Sequence, residues 1–402
     1  MNKAIKTYSF FIFLLFIMSM GLWIGWDGRK SLILTLCGCG ALLVKMMYNI
    51  PFVFSKRNIA IVIAFYIAYI YRLGGSFEQF FTQIPSQLIP IICIICILGK
   101  YKEMILKYIT KWYAYLILIS LFVFILVYTV HIPGFGSLEF ADDSNYGTYI
   151  NYIFYVERID TLTGGLPRFN GPFLEPGYVG MIGAFLLFAN KFNFKTTENK
   201  IILVSVLASF SLAGWMLLII GYILNIFYKG KISVSRLVFS LLLIVSIING
   251  AKYYNGGNNM VNETILSRLE TDEEKGFAGN NRNTETIKLL AAGIWASGDI
   301  DTILFGYDED YFRQYEEWEL VGSGVDKFFV HHGLIGILLA LSLYIITVTT
   351  AHDKKFALLF FIFMLFSFWQ RCYALWFSWI ICFYYASVIT DSLKYNRKIK
   401  QI

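Results

Sequence analysis

Apolar runs of about 17 to 25 residues recur along almost the whole of this 402-residue chain, and each is long enough to cross a hydrocarbon layer roughly 30 Å thick. No soluble core could hide them, since 57% of the residues are hydrophobic and only 15% charged, far from the balance of water-soluble domains. In lipid every backbone N–H and C=O must be satisfied within its own segment, so the runs predict helices. The expected fold is all-α: a polytopic transmembrane helical bundle of about twelve helices with a large external loop.

Spans are expected at 8–26, 31–50, 58–73, 84–99, 112–130, 176–190, 201–213, 214–228, 232–250, 328–350, 356–371 and 373–390. They divide the chain into N-terminal transmembrane helices (1–130), a first external loop (131–175), central helices (176–250), a large external loop (251–327) and C-terminal helices with a tail (328–402). The first run follows Lys3 and Lys6 without a small-residue cleavage site, so it is expected to be a retained helix. Tyr and Trp near the run ends, such as Trp23, Trp26, Trp112, Tyr128, Trp215 and Tyr395, suit the membrane interface and carry no functional signal.

The stretch 201–228 is too short for two full crossings and too long for one upright helix, so two short helices broken at Ser211-Leu-Ala-Gly214 are expected. With that break, seven basic clusters fall on one side: Lys3/Lys6, Lys56/Arg57, Lys100 to Lys111, Lys191 to Lys200, Lys229/Lys231/Arg236, Lys354/Lys355 and Lys394 to Lys400. Arg29/Lys30 is the small exception. The positive-inside rule then makes both termini cytoplasmic and loops 131–175 and 251–327 external. Both loops are net acidic, so the formal charge of +7 comes from the basic turns and speaks of topology and anionic lipid, not of nucleic acid.

All six cysteines, Cys37, Cys39, Cys93, Cys96, Cys372 and Cys382, lie inside or directly between apolar runs, which excludes a disulfide framework in the loops. The CxxC spacing of Cys93 and Cys96 has no second ligand pair, so packing is expected rather than metal. GxGxxG, Walker, GxSxG and HExxH patterns are all absent, which removes the usual supports for nucleotide-driven transport, a dinucleotide cofactor, and serine or zinc hydrolysis.

Chemistry-bearing residues gather in the loops. Leu166-Pro-Arg-Phe-Asn-Gly-Pro-Phe-Leu-Glu-Pro-Gly-Tyr178 leads into a span and sets Arg168 and Glu175 at the membrane surface. An arginine there suits a phosphate; the alternative is an Arg168–Glu175 ion pair bracing the loop. Arg268 and Arg282 stand in acidic or amide-rich surroundings and together can neutralise a diphosphate, the alternative being solvated pairs with Glu270 or Glu285. Helix-like stretches run around Glu263 to Glu274 and Asn283 to Trp295. His331 and His332 sit at the loop exit, where an imidazole can take a proton from a hydroxyl or hydrogen-bond to backbone. No further ligands with zinc spacing accompany them, and His131 and His352 lie at other span ends, so no metal is expected.

Taken in order, Arg168, Gly171 and Glu175-Pro176 at a span start, a Ser-x-x-Gly break, a long loop with two arginines, Phe-Gly-Tyr307 and His331-His-Gly-Leu-Ile-Gly336 form a pattern. It resembles the O-antigen polymerase and O-antigen ligase superfamily of bacterial envelope glycosyltransferases, over about the C-terminal two thirds of the chain. The resemblance implies a GT-C-like fold that acts without metal or other cofactor on undecaprenyl-diphosphate-linked oligosaccharides at the outer face of the bacterial cytoplasmic (inner) membrane. It implies Arg268 and Arg282 as diphosphate holders and His331 or His332 as the loop-exit histidine, with a flippase and a chain-length regulator as implied partners; Arg168, from its place at the span entry, is the further diphosphate candidate.

The Gly-Pro-Phe-Leu-Glu-Pro-Gly lead-in is more like polymerases of capsules and O-antigens than ligases, whereas Ser211-Leu-Ala-Gly214 lacks the arginine often found at the break. The expected reaction is inverting glycosyl transfer, with His332, His331 or Glu175 as base. Tyr307 and Tyr311 are the candidate sugar contacts, the alternative being an amphipathic helix that covers the site. A polyprenyl-linked glycan transporter is the rival reading, disfavoured because the spans carry few charges, Lys45 and Arg371 among them and near span ends, while the polar mass sits in the loops.

Overall fold

The computed structural model describes residues 2–72, 77–139, 147–162, 167–230, 246, 249–250, 253–259, 261–267, 271–272, 276–277, 283–312, 314–320 and 322–399. Helices α1 (Asn2–Ser19), α2 (Lys30–Met47), α3 (Lys56–Arg72), α4 (Phe77–Cys96) and α5 (Gly99–Val130) form the first half. The lead-in segment then gives α7 (Pro176–Ala189), α8 (Thr197–Ala208) and α9 (Leu212–Lys229). The C-terminal part is α13 (Val325–Thr350), α14 (Lys354–Gln370) and α15 (Phe377–Ile399). Four of these, Lys30–Met47, Gly99–Val130, Leu212–Lys229 and Val325–Thr350, are long and apolar enough to cross a membrane by length and composition. The run expected at 232–250 lies almost wholly outside the described residues.

Close approaches fix the directions of the central helices. A Cβ on Gly180 would lie 3.1 Å from Gly214 Cα and from Ser209 Oγ, and one on Gly183 would press Val206. At the far end, Asn225 Nδ2 donates to the Lys191 carbonyl at 3.2 Å. Helix α8 therefore runs antiparallel to α7 and α9 parallel to it, so the chain reverses at Ser209–Ser211. Phe210 takes φ +42° at the reversal, and the Ser211 hydroxyl caps α9 by accepting the Gly214 N–H at 3.3 Å. Two helices joined by a bend are present as expected, the bend lying just ahead of the predicted break, but only the 12-residue α8 is short; α9, with 18 residues, is itself long enough to cross a membrane.

Other contacts sort the connections into two ends of the bundle. At one end the Ser378 N–H donates to Ser19 Oγ at 3.1 Å, Tyr71 Oη to the His332 carbonyl at 3.2 Å, and the Cys372 N–H to the Ser323 carbonyl at 3.0 Å. Trp23 N–H also reaches the Pro172 carbonyl there at 3.2 Å. At the other end Tyr228 Oη donates to Asp353 Oδ2 at 3.0 Å, the Val53 N–H to the Cys96 carbonyl at 2.7 Å, and Lys191 lies over the Tyr228 and Phe356 rings. The first loop and the exit of the large loop share the first end, while Lys56, Lys100, Lys191, Lys229 and Lys354 collect at the second.

Three local expectations are corrected. Lys100 to Lys111 is not a turn before a span at 112–130, because both belong to the single 32-residue α5; leucines, lysines and aromatics all continue a helix, and nothing interrupts it. The first loop departs from the all-α expectation. Strands β1 (Ser137–Glu139), β2 (Thr148–Asn151) and β3 (Val156–Arg158) form an antiparallel sheet in the order β1-β2-β3, followed by the short α6 (Ile159–Leu162). Last, Glu263 to Glu274 is not one helix: a π-helical turn spans Asn262–Leu266, and Thr271–Asp272 (β4) pairs with Gly276–Phe277 (β5).

The second helix-like stretch is present as α10 (Glu285–Ser297). With α11 (Ile300–Phe305) and α12 (Glu309–Phe312) it builds a small core on the start of α13 from Leu290, Ala291, Ile294, Phe312, Phe329 and Val330.

Candidate functional site

Glu175 and Arg371 meet 196 positions apart in sequence. Gly171 at φ +60° turns the lead-in segment, and Glu175 ends it in extended backbone as the residue before Pro176, the first residue of α7. Its carboxylate does not cap that helix. It pairs instead with the guanidinium of Arg371, where α14 stops and the backbone turns extended.

Arg371 is wholly buried, 0% exposed, and the Glu175 side chain is 18% exposed. Burying a cation costs several kcal/mol unless it is well partnered, and partners surround this one. Its Nη1 donates to Tyr373 Oη at 3.1 Å, and its Cζ lies 4.9 Å from the Tyr178 ring centroid. Tyr373 in turn stacks on Trp376 at 3.8 Å, with the planes 6° apart. The pair keeps a negatively charged oxygen at the bundle end, flanked by phenols and indole.

Beside it the histidines start the apolar part of α13. The Phe312 and His331 rings stack at 4.2 Å, and Phe328 meets His332 edge-on at 4.7 Å. His331 Nε2 is buried against this aromatic packing. Tyr307 and Tyr311 stack face to face at 4.0 Å against Phe312. The Tyr307 N–H donates to the Val330 carbonyl at 2.8 Å, which moors this aromatic shelf to the histidine turn. The mooring needs glycine: Gly333 takes φ +58°, and a Cβ there would lie 2.2 Å from the Leu304 carbonyl oxygen.

At the same end a cavity of about 290 Å³ opens among α1 to α4 and the 371–376 connector, lined by Ser19, Lys30, Tyr69, Arg72, Gln83, Gln87 and Trp376 among others. Trp376 joins it to the Tyr373–Arg371–Glu175 cluster, and Arg72 adjoins Tyr71, whose hydroxyl bonds the His332 backbone.

The structure thus brings His331, His332, Tyr307 and Tyr311 together and gives Glu175 to Arg371. Arg168 is half-buried on the Glu175 lead-in segment, next to Phe169, whose N–H bonds the Ala208 carbonyl at 3.1 Å. Arg268 and Arg282 lie outside the described residues. Sequence reasoning missed Tyr178, Arg72, Lys30, Tyr373 and Trp376 as site residues and treated Arg371 only as a stray charge. An isolated arginine in an apolar run was itself the signal, since such residues face a partner inside the protein. Among the described residues no group of three or more His, Cys, Asp or Glu could hold a metal ion. No protein-family model, curated protein or solved structure matches this chain.

Proposed function

We propose that the chain is a membrane-embedded glycosyltransferase that joins undecaprenyl-diphosphate-linked oligosaccharide repeat units into a surface polysaccharide such as O-antigen or capsule. The observation that carries this reading is the sharing of one bundle end by a carboxylate held by a buried arginine, two histidines on an aromatic shelf, and a cavity of small-ligand size. Polysaccharide transfer needs a proton acceptor, flat faces for sugar rings and a bounded space.

In the proposed topology the apolar runs make about twelve spans in a bacterial cytoplasmic membrane. The basic bundle end and both termini face the cytoplasm, and the loop end faces outward, by the positive-inside rule. An acceptor hydroxyl attacks the anomeric carbon of the donor sugar, the bond to the diphosphate oxygen breaks, and the anomeric centre inverts. His332, His331 or Glu175 accepts the hydroxyl proton. Arg168, Arg268 and Arg282 hold the departing diphosphate, whose charge grows in the transition state. A flippase that delivers the repeat unit and a chain-length regulator are the proposed partners.

The test is incubation of the purified chain in detergent with undecaprenyl-diphosphate-linked repeat unit. A ladder of longer glycans, lost in Arg282→Ala and reduced about 10²- to 10⁴-fold in the variant of whichever histidine is the base, supports the reading. Substrate crossing liposomes without any ladder overturns it in favour of a transporter.

A further inference from the structure

Resting on the proposal of a saccharide substrate, we infer that the cavity among α1 to α4 is a subsite for a sugar that carries a negative charge, such as a uronic acid. Its charged lining residues are Lys30 and Arg72, and no carboxylate is among the described residues that line it. A space so lined is electropositive and favours an anion. Arg72 supplies a planar fork that fits a carboxylate through two parallel hydrogen bonds.

The rest of the lining is suited to sugar hydroxyls. Gln83, Gln87 and Tyr69 bring neutral donors and acceptors, and the Trp376 indole brings a flat apolar face. Tyr69 Oη donates to Gln83 Oε1 at 2.7 Å, so what the Gln83 amide still offers is its donor end. Lys30 Nζ stands 5.6 Å from the Trp376 ring centroid, which draws the ring and a cation to one side of the space. A diphosphate alone would leave the amide and indole surface unused. The volume, about 290 Å³, is at the small end of ligand sites and suits one or two sugar rings rather than a long chain. Helices α1 to α4 thereby select which repeat unit is presented to the histidine shelf on α13.

The experiment measures binding of a glucuronate-containing disaccharide, its neutral glucose-containing counterpart and inorganic pyrophosphate to the full chain in nanodiscs, by saturation-transfer NMR and calorimetry. The acidic disaccharide is expected to bind at least about tenfold tighter than the neutral one, a gap of 1.4 kcal/mol. That gap closes in Arg72→Gln and in Lys30→Gln, while the neutral disaccharide binds these variants as it binds the wild type. Equal binding of the two disaccharides to the wild type overturns the inference without relying on any variant; so does stronger binding of pyrophosphate that displaces the sugar, which makes the cavity a diphosphate pocket. A preserved acidic preference without any glycan ladder leaves the subsite standing and sinks the polymerase reading. A ladder from repeat units with no acidic preference sinks the subsite alone.

Discussion

Replacing Arg371 by Gln and Glu175 by Gln, singly and together, isolates the ion pair at the bundle end. Arg371→Gln takes the buried cation away from a carboxylate only 18% exposed, and Glu175→Gln takes the carboxylate away from a wholly buried guanidinium that retains its Tyr373 hydrogen bond and the Tyr178 and Tyr373 faces. Breaking one side of a buried pair typically costs about 3–5 kcal/mol. The carboxylate retains some water, which puts Arg371→Gln near 3 kcal/mol and Glu175→Gln toward the upper figure. The double variant buries no net charge, so its loss is expected to fall well short of the sum, with a coupling of about 2 kcal/mol. Unfolding in SDS titrations of the detergent-solubilised protein reads all four free energies. Additive single losses below about 1 kcal/mol would refute the reasoning, because the pair would then behave like two solvated surface charges.

Burial of Glu157 on β3, 4% exposed, pushes its carboxyl from the usual 4.5 up to about 7. The folded first loop therefore favours the protonated form: its stability is full below the ordinary carboxyl range and is lost as pH rises through 7, by up to about 3 kcal/mol. Hydrogen exchange of residues 147–158 at pH 5 and pH 8 should show this decline in the wild type and its absence in Glu157→Gln. Gly214→Ala places a Cβ 2.7 Å from Gly180 Cα, backbone against backbone, and should cost about 1–3 kcal/mol in SDS unfolding; a neutral result would mean that α7 and α9 are not in this contact. Gly333→Ala combines a left-handed backbone with a Cβ 2.2 Å from the Leu304 carbonyl. It should release the Tyr307 shelf and raise protease cleavage within 285–312, with little change if the shelf is not moored there.

Most of the helices were legible because an apolar run answers to one local requirement, satisfaction of its own backbone in lipid. The reversal at Ser209–Ser211 was legible for a similar reason, since the run 201–228 fits neither one crossing nor two. The sheet of β1 to β3 was not: its strands are three or four residues long, too short for a period to show among tyrosines and asparagines. The partner of Glu175 was illegible for another reason. Its carboxylate pairs with Arg371, brought from 196 positions away by the packing of α7 beside the end of α14. Residue type flagged Arg371, but only the folded chain shows what it faces. The cavity escaped because its lining comes from four separate helices and a connector, each contributing one or two polar residues that look like ordinary run ends.

A Cβ on Gly177 would sit 2.9 Å from Arg371 Nη2, so the Glu175–Arg371 clasp also prescribes its neighbour in α7. Three positions in two distant stretches are therefore one unit of inheritance. A chimera that imports a foreign lead-in segment at 166–178 will fail unless it imports the matching 371–376 connector with it. Among relatives of this chain, whatever their overall divergence, changes at 175, 177 and 371 should be found together or not at all.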